Sequence, residues 1–420
     1  MPSSSIFRTF LQAGFECSSH KRRSGERLDL LRATRHEYFA KRDYERLRAF
    51  GIETARIGAR WHLIEHAPHE YNFESLAVFF DAACESGIEL ILDLLHFGWP
   101  DFVDPFSSSF PKHFGRFVRA VTRYVKARGG CCSMFVPVNE ISFLSWAGGE
   151  VGAINPYAVG RGLELKRNLV RAAAVASEIL LNELNRVRLV SAEPLIHIIG
   201  NPAVPGDETE AENYRISQFE AWDMLSGSSA PELGGRPEYL DILGANFYDR
   251  NEWVHNSSTL ERNDPRYRPF SRILEEVWKR YRRPIFVSET GTEDDARAEW
   301  FNYVCEEVVA AHRLGIPVHG ICIYPILNHP GWDDDRHCCN GLFDYADESG
   351  NRDTYWPLAH AILNQQHRLQ RSYQVTHDAE QHRSDLFIPS AMGLCVSAAT
   401  TSDEPLCTDA ENVFCRRTDI

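Results

Sequence analysis

Two short stretches, far apart in the chain, carry residues that could act together. Phe135-Val136-Pro137-Val138 is an apolar run ending in Asn139-Glu140, and Pro284-Ile285-Phe286-Val287-Ser288 ends in Glu289. Apolar runs of this length read as strands buried on both faces, and parallel-sheet proteins place their chemistry at the C-terminal ends of such strands. Either Glu alone could simply mark a strand turning into solvent. Two of them suggest carboxylates converging on one mouth, one giving a proton while the other attacks. Their mutual repulsion would drive their pKa values apart, as paired roles require.

Strand and helix patterns alternate around these two stretches. Strand-like runs fall at 10–15, 52–59, 88–95, 135–138, 187–191, 240–248, 284–288 and 318–324. Apolar residues at helical spacing fall between them, at 44–50, 76–84, 114–126, 165–184, 216–225, 273–280 and 297–314, with a closing segment at 355–368. Gly51, Gly87, Gly129 and Gly315 stand where helices end. Eight alternations predict an α/β fold of the (β/α)8 TIM-barrel class, because each parallel strand needs a helical crossover. An open doubly wound sheet is the rival. Its nucleotide-binding form would carry a G-x-G-x-x-G turn after the first strand, where this chain reads Gly14-Phe15-Glu16-Cys17-Ser18. The barrel is placed at 1–368, and 369–420 is expected to be a polar, poorly ordered tail.

Composition removes several function classes. The chain has 420 residues and a net charge of −14, which argues against a nucleic-acid surface. No apolar run approaches the ~20 residues of a membrane span, and no signal peptide is expected. The 11 cysteines include the neighbours Cys131-Cys132 and Cys338-Cys339, which is not a zinc spacing. An odd number without a secretion signal predicts reduced thiols and a cytoplasmic location. Metal ligation by His and carboxylates at the mouth stays an alternative. Without an H-E-x-x-H motif or a phosphate-binding glycine loop, neither a metal nor a cofactor is expected.

In a barrel of this kind the strand ends gather Glu16, Arg56, His96, Glu140, Glu193, Asn246 with Tyr248, Glu289, and Asn328 with Trp332. Carboxylates, amides and aromatic residues in one mouth suit glycoside hydrolysis. Trp61, Trp99 and Trp332 could stack on sugar faces or pack the barrel rim.

Five segments then make a more specific pattern: Val138-Asn139-Glu140, Ser288-Glu289-Thr290-Gly291, Arg56-Ile57-Gly58-Ala59-Arg60-Trp61, His96-Phe97-Gly98-Trp99-Pro100 and Asn246-Phe247-Tyr248. Through them the sequence resembles, over roughly residues 9–365, the family 1 glycoside hydrolases, the β-glucosidase and phospho-β-glucosidase relatives among the retaining (β/α)8 enzymes. The resemblance implies Glu140 as acid/base, Glu289 as nucleophile and Asn139 as partner of the sugar 2-hydroxyl. It further implies that Arg56 and Tyr248 hold Glu289 and that His96 contacts the glycone. Ile141 replaces the proline of the family's Asn-Glu-Pro. The family's glutamine after the first strand is missing, with Glu16 and His20 nearby instead, and its Glu-Trp pair reads Gly331-Trp332. The expected activity is hydrolysis of a β-linked glycoside through a covalent glycosyl-enzyme intermediate, with a carbohydrate as partner. A transglycosidase, an endo-acting relative and a sugar-binding barrel without catalysis are the alternatives. The last would be expected to have lost one carboxylate or Arg56, and all three are present.

Overall fold

The computed structural model describes residues 5–386. Eight strands close into a barrel: β1 Leu11–Gly14, β2 Thr54–Gly58, β3 Glu89–Asp93, β4 Cys132–Val136, β5 Arg188–Pro194, β6 Ile242–Asn246, β7 Ile285–Thr290 and β8 Val318–Ile323. Every neighbouring pair is parallel, and β1 pairs with both β2 and β8. The crossovers run over α1 His36–Ala49, α2 Glu74–Ser86, α3 Phe110–Arg128, α4 Gly162–Glu183, α5 Asp207–Ser217 with α6 Glu220–Leu225, α7 Phe270–Tyr281 and α8 Arg297–Arg313. The fold is the (β/α)8 barrel that the alternating pattern predicts.

Two helices differ from that pattern. The single helix expected at 216–225 is broken into α5 and α6. Between them, the Gln218 side chain donates to the carbonyls of Arg215 and Ile196 and accepts from the Ile196 amide, tying the break to the loop after β5. The closing helix, α9 Trp356–Leu386, runs past residue 368. The rest of the expected tail, 387–420, lies outside the described residues. The barrel belongs to one compact unit, Met1–Ala379; of the second, Glu380–Ile420, residues 380–386 are described and are helical.

Alternation along the strands sets two apolar layers. Ile91, Met134, Val136, Val190, Ala192, Ile242, Phe286 and Cys322 fill the barrel, and the ring of Phe7 lies 4.5 Å from that of Phe286. Leu90, Leu92, Phe135, Leu189 and Leu243 belong to the outer layer that the helices cover. Toward the C-terminal ends of the strands the inward positions turn polar. Ile91 is followed two residues later by Asp93, and Ile242 by Gly244 and Asn246. No helix among the described residues is long and apolar enough to cross a membrane.

Candidate active site

Arg56 organises the mouth. It is fully buried on β2, and its guanidinium reaches four groups at once. Nε and Nη2 donate to Asp93 at 2.9 and 2.7 Å, Nη1 to Glu289 Oε1 and the Ser288 carbonyl at 2.9 Å each, and Nη2 to Asn139 Oδ1 at 2.8 Å. A buried cation survives only with such partners. Arg56 thereby ties together the ends of β2, β3 and β7 and the segment after β4.

Glu289 is held from both sides. Its Oε1 takes the Arg56 bond, and its Oε2 accepts from the Tyr248 hydroxyl at 2.8 Å. Register shifts on both sides of β7, between Phe286 and Glu289 against β6 and between Val287 and Thr290 against β8, interrupt strict alternation. Consecutive residues Ser288 and Glu289 can then both bond within the mouth, as irregularities near active sites allow.

Glu140 lies beyond the end of β4 in a left-handed conformation, φ 46° and ψ 62°, a sparsely populated region for a residue with a side chain. The surroundings hold it there. The Asn139 and Glu140 amides donate to the carbonyls of Leu95 and Ala192, at 2.9 Å each. The buried Glu193 carboxylate accepts from the next two amides, Ile141 at 2.8 Å and Ser142 at 2.9 Å. The side chain receives one protein hydrogen bond, from Asn246 Nδ2 to Oε1 at 2.9 Å. Asn246 is itself fixed by the Ser288 hydroxyl, which donates to its Oδ1 at 2.6 Å.

These surroundings separate the two carboxyl groups. Burial pushes Glu140 up, the charge of Glu289 adds to this, and its pKa reaches about 8. Burial also raises Glu289, but Arg56, His96 and the Tyr248 hydrogen bond oppose it. The pKa of Glu289 stays above the ordinary carboxyl value, but the guanidinium that favours its charge has no counterpart at Glu140, which at about 8 keeps its proton at neutral pH.

The opposite wall carries His96, whose Nδ1 lies 2.9 Å from Asp93 Oδ2. Burial opposes a charge on this ring, yet Cys17, Asp93 and Glu16 outweigh it and hold its pKa well above the ordinary imidazole value. Burial raises the Cys17 thiol, so the two carboxylates supply the negative charge. Asn139 Nδ2 lies a long 3.4 Å from His96 Nε2, which leaves both groups able to turn toward a substrate hydroxyl. Glu16 is buried, and its Oε1 accepts from both the amide and the hydroxyl of Ser18. Burial works against its charge, but His96, His329 and Ser18 together lower its pKa.

The structure thus brings together Glu16, Arg56, His96, Asn139, Glu140, Asn246, Tyr248 and Glu289. Trp332 stands at the rim, half-buried, with its ring 5.5 Å from those of His20 and Phe97. Trp61 is not at the mouth. It is fully buried, stacked 4.9 Å from Phe117, and its indole donates to Glu65. Asn328 ties down a loop through the Gly341 amide and Asp344. Asp93 and Tyr324 are the residues that the sequence reading missed. Asp93 follows Ile91 at the inward period of β3, which was a usable signal. The Tyr324 ring lies parallel to His96 at 6.1 Å and close over Gly14, where a Cβ would come within 2.0 Å of it.

No protein-family model matches the chain, and no curated protein matches its sequence significantly. Solved structures do match. A β-glucosidase from Thermotoga maritima in complex with glucoimidazole aligns at 16% identity and a TM-score of 0.69, over 84% of this chain and 97% of that one. The complex of the T. maritima enzyme with castanospermine aligns at 15% identity and a TM-score of 0.69, over 89% and 98%. A hyperthermophilic β-glucosidase mutant aligns at 15% and 0.70, over 86% and 100%. The chain has the barrel fold of the family 1 β-glucosidases. That likeness extends over nearly the full length of each matched enzyme.

Proposed function

We propose that this protein is a retaining β-glycosidase in which Glu289 is the nucleophile and Glu140 the acid/base. The observation that carries the reading is the unequal treatment of two buried carboxyl groups in one mouth. Glu289 receives a guanidinium and a phenol, both favouring its charge, while Glu140 receives one amide and is pushed up to about 8. As the Glu289 carboxylate forms a bond to the anomeric carbon, the bond to the leaving oxygen breaks, and that oxygen takes the Glu140 proton. Water then attacks the glycosyl-enzyme, Glu140 accepts its proton, and the sugar leaves with its configuration retained. Asn139, oriented by its Oδ1 bond to Arg56, offers its amide to the substrate's 2-hydroxyl.

The glycone is expected to be uncharged, because the ionised Glu16 lies within 4.0 Å of His96 on the same wall and disfavours a phosphate or carboxylate there. A groove of about 930 Å³ is lined by Ser142 and Phe143, which follow Glu140 closely in the chain, and by Trp146, Tyr214 and Trp253; its aromatic lining would suit a bulky leaving group. The eight described cysteines are free thiols, which supports a reducing compartment such as the cytoplasm.

The reading is tested on aryl glycosides of neutral sugars, both anomers, with Glu289→Gly. Hydrolysis of a β-anomer should vanish in the variant and return when azide takes the place of the missing carboxylate. Near-normal turnover of the variant without azide would overturn the assignment.

A further inference from the structure

A second cluster of ionisable groups lies away from the mouth, where a short hairpin meets α3. The hairpin pairs Glu65–Ala67 with Glu70–Tyr71, and His69 sits in its turn at φ 69°. The Glu65 side chain is wholly buried. Its Oε2 accepts from the Trp61 indole at 2.6 Å, and its Oε1 from the His69 amide at 2.9 Å. His113, on the first turn of α3, brings Nε2 to 2.9 Å from Oε1, and His69 Nδ1 lies 3.9 Å from the same oxygen. One ligand atom from each of the three side chains lies within 4.8 Å of the others.

Among the described residues no Lys or Arg forms an ion pair with Glu65; its ionic partners are the two imidazoles. Two imidazoles and a carboxylate, converging at this spacing, form a donor set suited to Zn²⁺ and its neighbours. The indole and the backbone amide supply outer hydrogen bonds that orient the carboxylate. His69 is half-exposed, leaving its side of the cluster open to water and to ion entry.

We infer that Glu65, His69 and His113 form a binding site for a divalent transition metal, Zn²⁺ by its chemistry, that staples the hairpin to α3. Arg116 Nη1 lies 3.1 Å from His69 Nε2 and, being exposed, moves aside when Nδ1 takes the metal. The other two clusters of this kind fit less well. In Cys17, Asp93 and His96, the carboxylate is already clamped by Arg56, and Asp207, Glu210 and His255 offer a single imidazole.

The test uses the full chain, stripped with a chelator, and titrates Zn²⁺ by calorimetry and Co²⁺ by visible absorption. The expected result is one tight equivalent and a rise in Tm of a few degrees at saturation. His113→Gln and His69→Gln should each weaken that equivalent by about 100-fold or more, with hydrolysis unchanged. His69→Gln replaces a half-exposed side chain, so its folding is not in question. Absence of saturable binding would overturn the site, and so would a tight equivalent that survives in both variants. Either result leaves the glycosidase reading untouched, because none of the three residues belongs to the mouth.

Discussion

Replacing Glu289 by Gln removes one negative charge while keeping the side chain's size, and Glu140 should respond. Glu140 titrates at about 8 in the intact site, raised first by burial and then by Glu289. Carboxyl groups of a retaining pair lie ~5.5 Å apart. Across that span, at an effective dielectric constant of ~20, their repulsion is about 3 kcal/mol, equivalent to roughly 2 pH units. The sign follows from the direction of the shift. Glu140 holds its proton up to about 8 and loses it above, so removing the Glu289 charge moves that loss downward. Burial and the nearby Glu193 remain, which keeps Glu140 above an ordinary carboxyl group. Carbon-13 titration of labelled Glu side chains, with Glu140→Gln to assign the signal, would read the change directly. In the unaltered protein, kcat/KM should fall along a basic limb with its midpoint at about 8. A midpoint unchanged in Glu289→Gln would refute the reasoning, because burial alone would then hold the proton.

Two further substitutions probe the same division of roles. Glu140→Ala should slow substrates with poor leaving groups by about 100-fold or more, and activated aryl glycosides much less at the first step, since these leave without a proton; equal losses on both would count against the acid role. Tyr248→Phe removes a hydrogen bond that favours the charge on Glu289. The acid limb of kcat/KM should move to higher pH and the rate fall by about 10-fold, whereas a fall without a displaced limb would place Tyr248 elsewhere in the chemistry.

Most of this mouth could be read from the sequence because barrel strands are short, apolar and periodic. Residues ending such runs gather at the opening, Asn246 on the inward period of β6 and Glu289 through the register shifts of β7. Asp93 shows where the reading fell short. It sits inside a run that looks like continuous core, Ile88 to Leu95, and only the inward period starting at Ile91 separates it from its neighbours. Tyr324 was hidden for another reason: its place over Gly14 depends on β1 and β8 being adjacent, which only barrel closure makes true. For Trp61 the structure decides between two readings. An aromatic just past a strand end left a sugar platform and packing both open; α3 supplies Phe114 and Phe117, and packing claims the ring. The cluster of Glu65, His69 and His113 joins a hairpin to a helix more than forty residues away, and no local spacing announces it.

The claim on which everything else depends is that Glu289 becomes covalently bonded to the sugar. An aryl β-glycoside carrying fluorine at C2 and an activated leaving group slows release of the glycosyl-enzyme more than its formation. Incubation with such a compound, followed by peptide mass spectrometry, should show one added glycosyl group per chain, located on Glu289 and absent from Glu289→Gln. An adduct on another residue would contradict the account, as would hydrolysis that leaves no adduct and gives a product of inverted configuration.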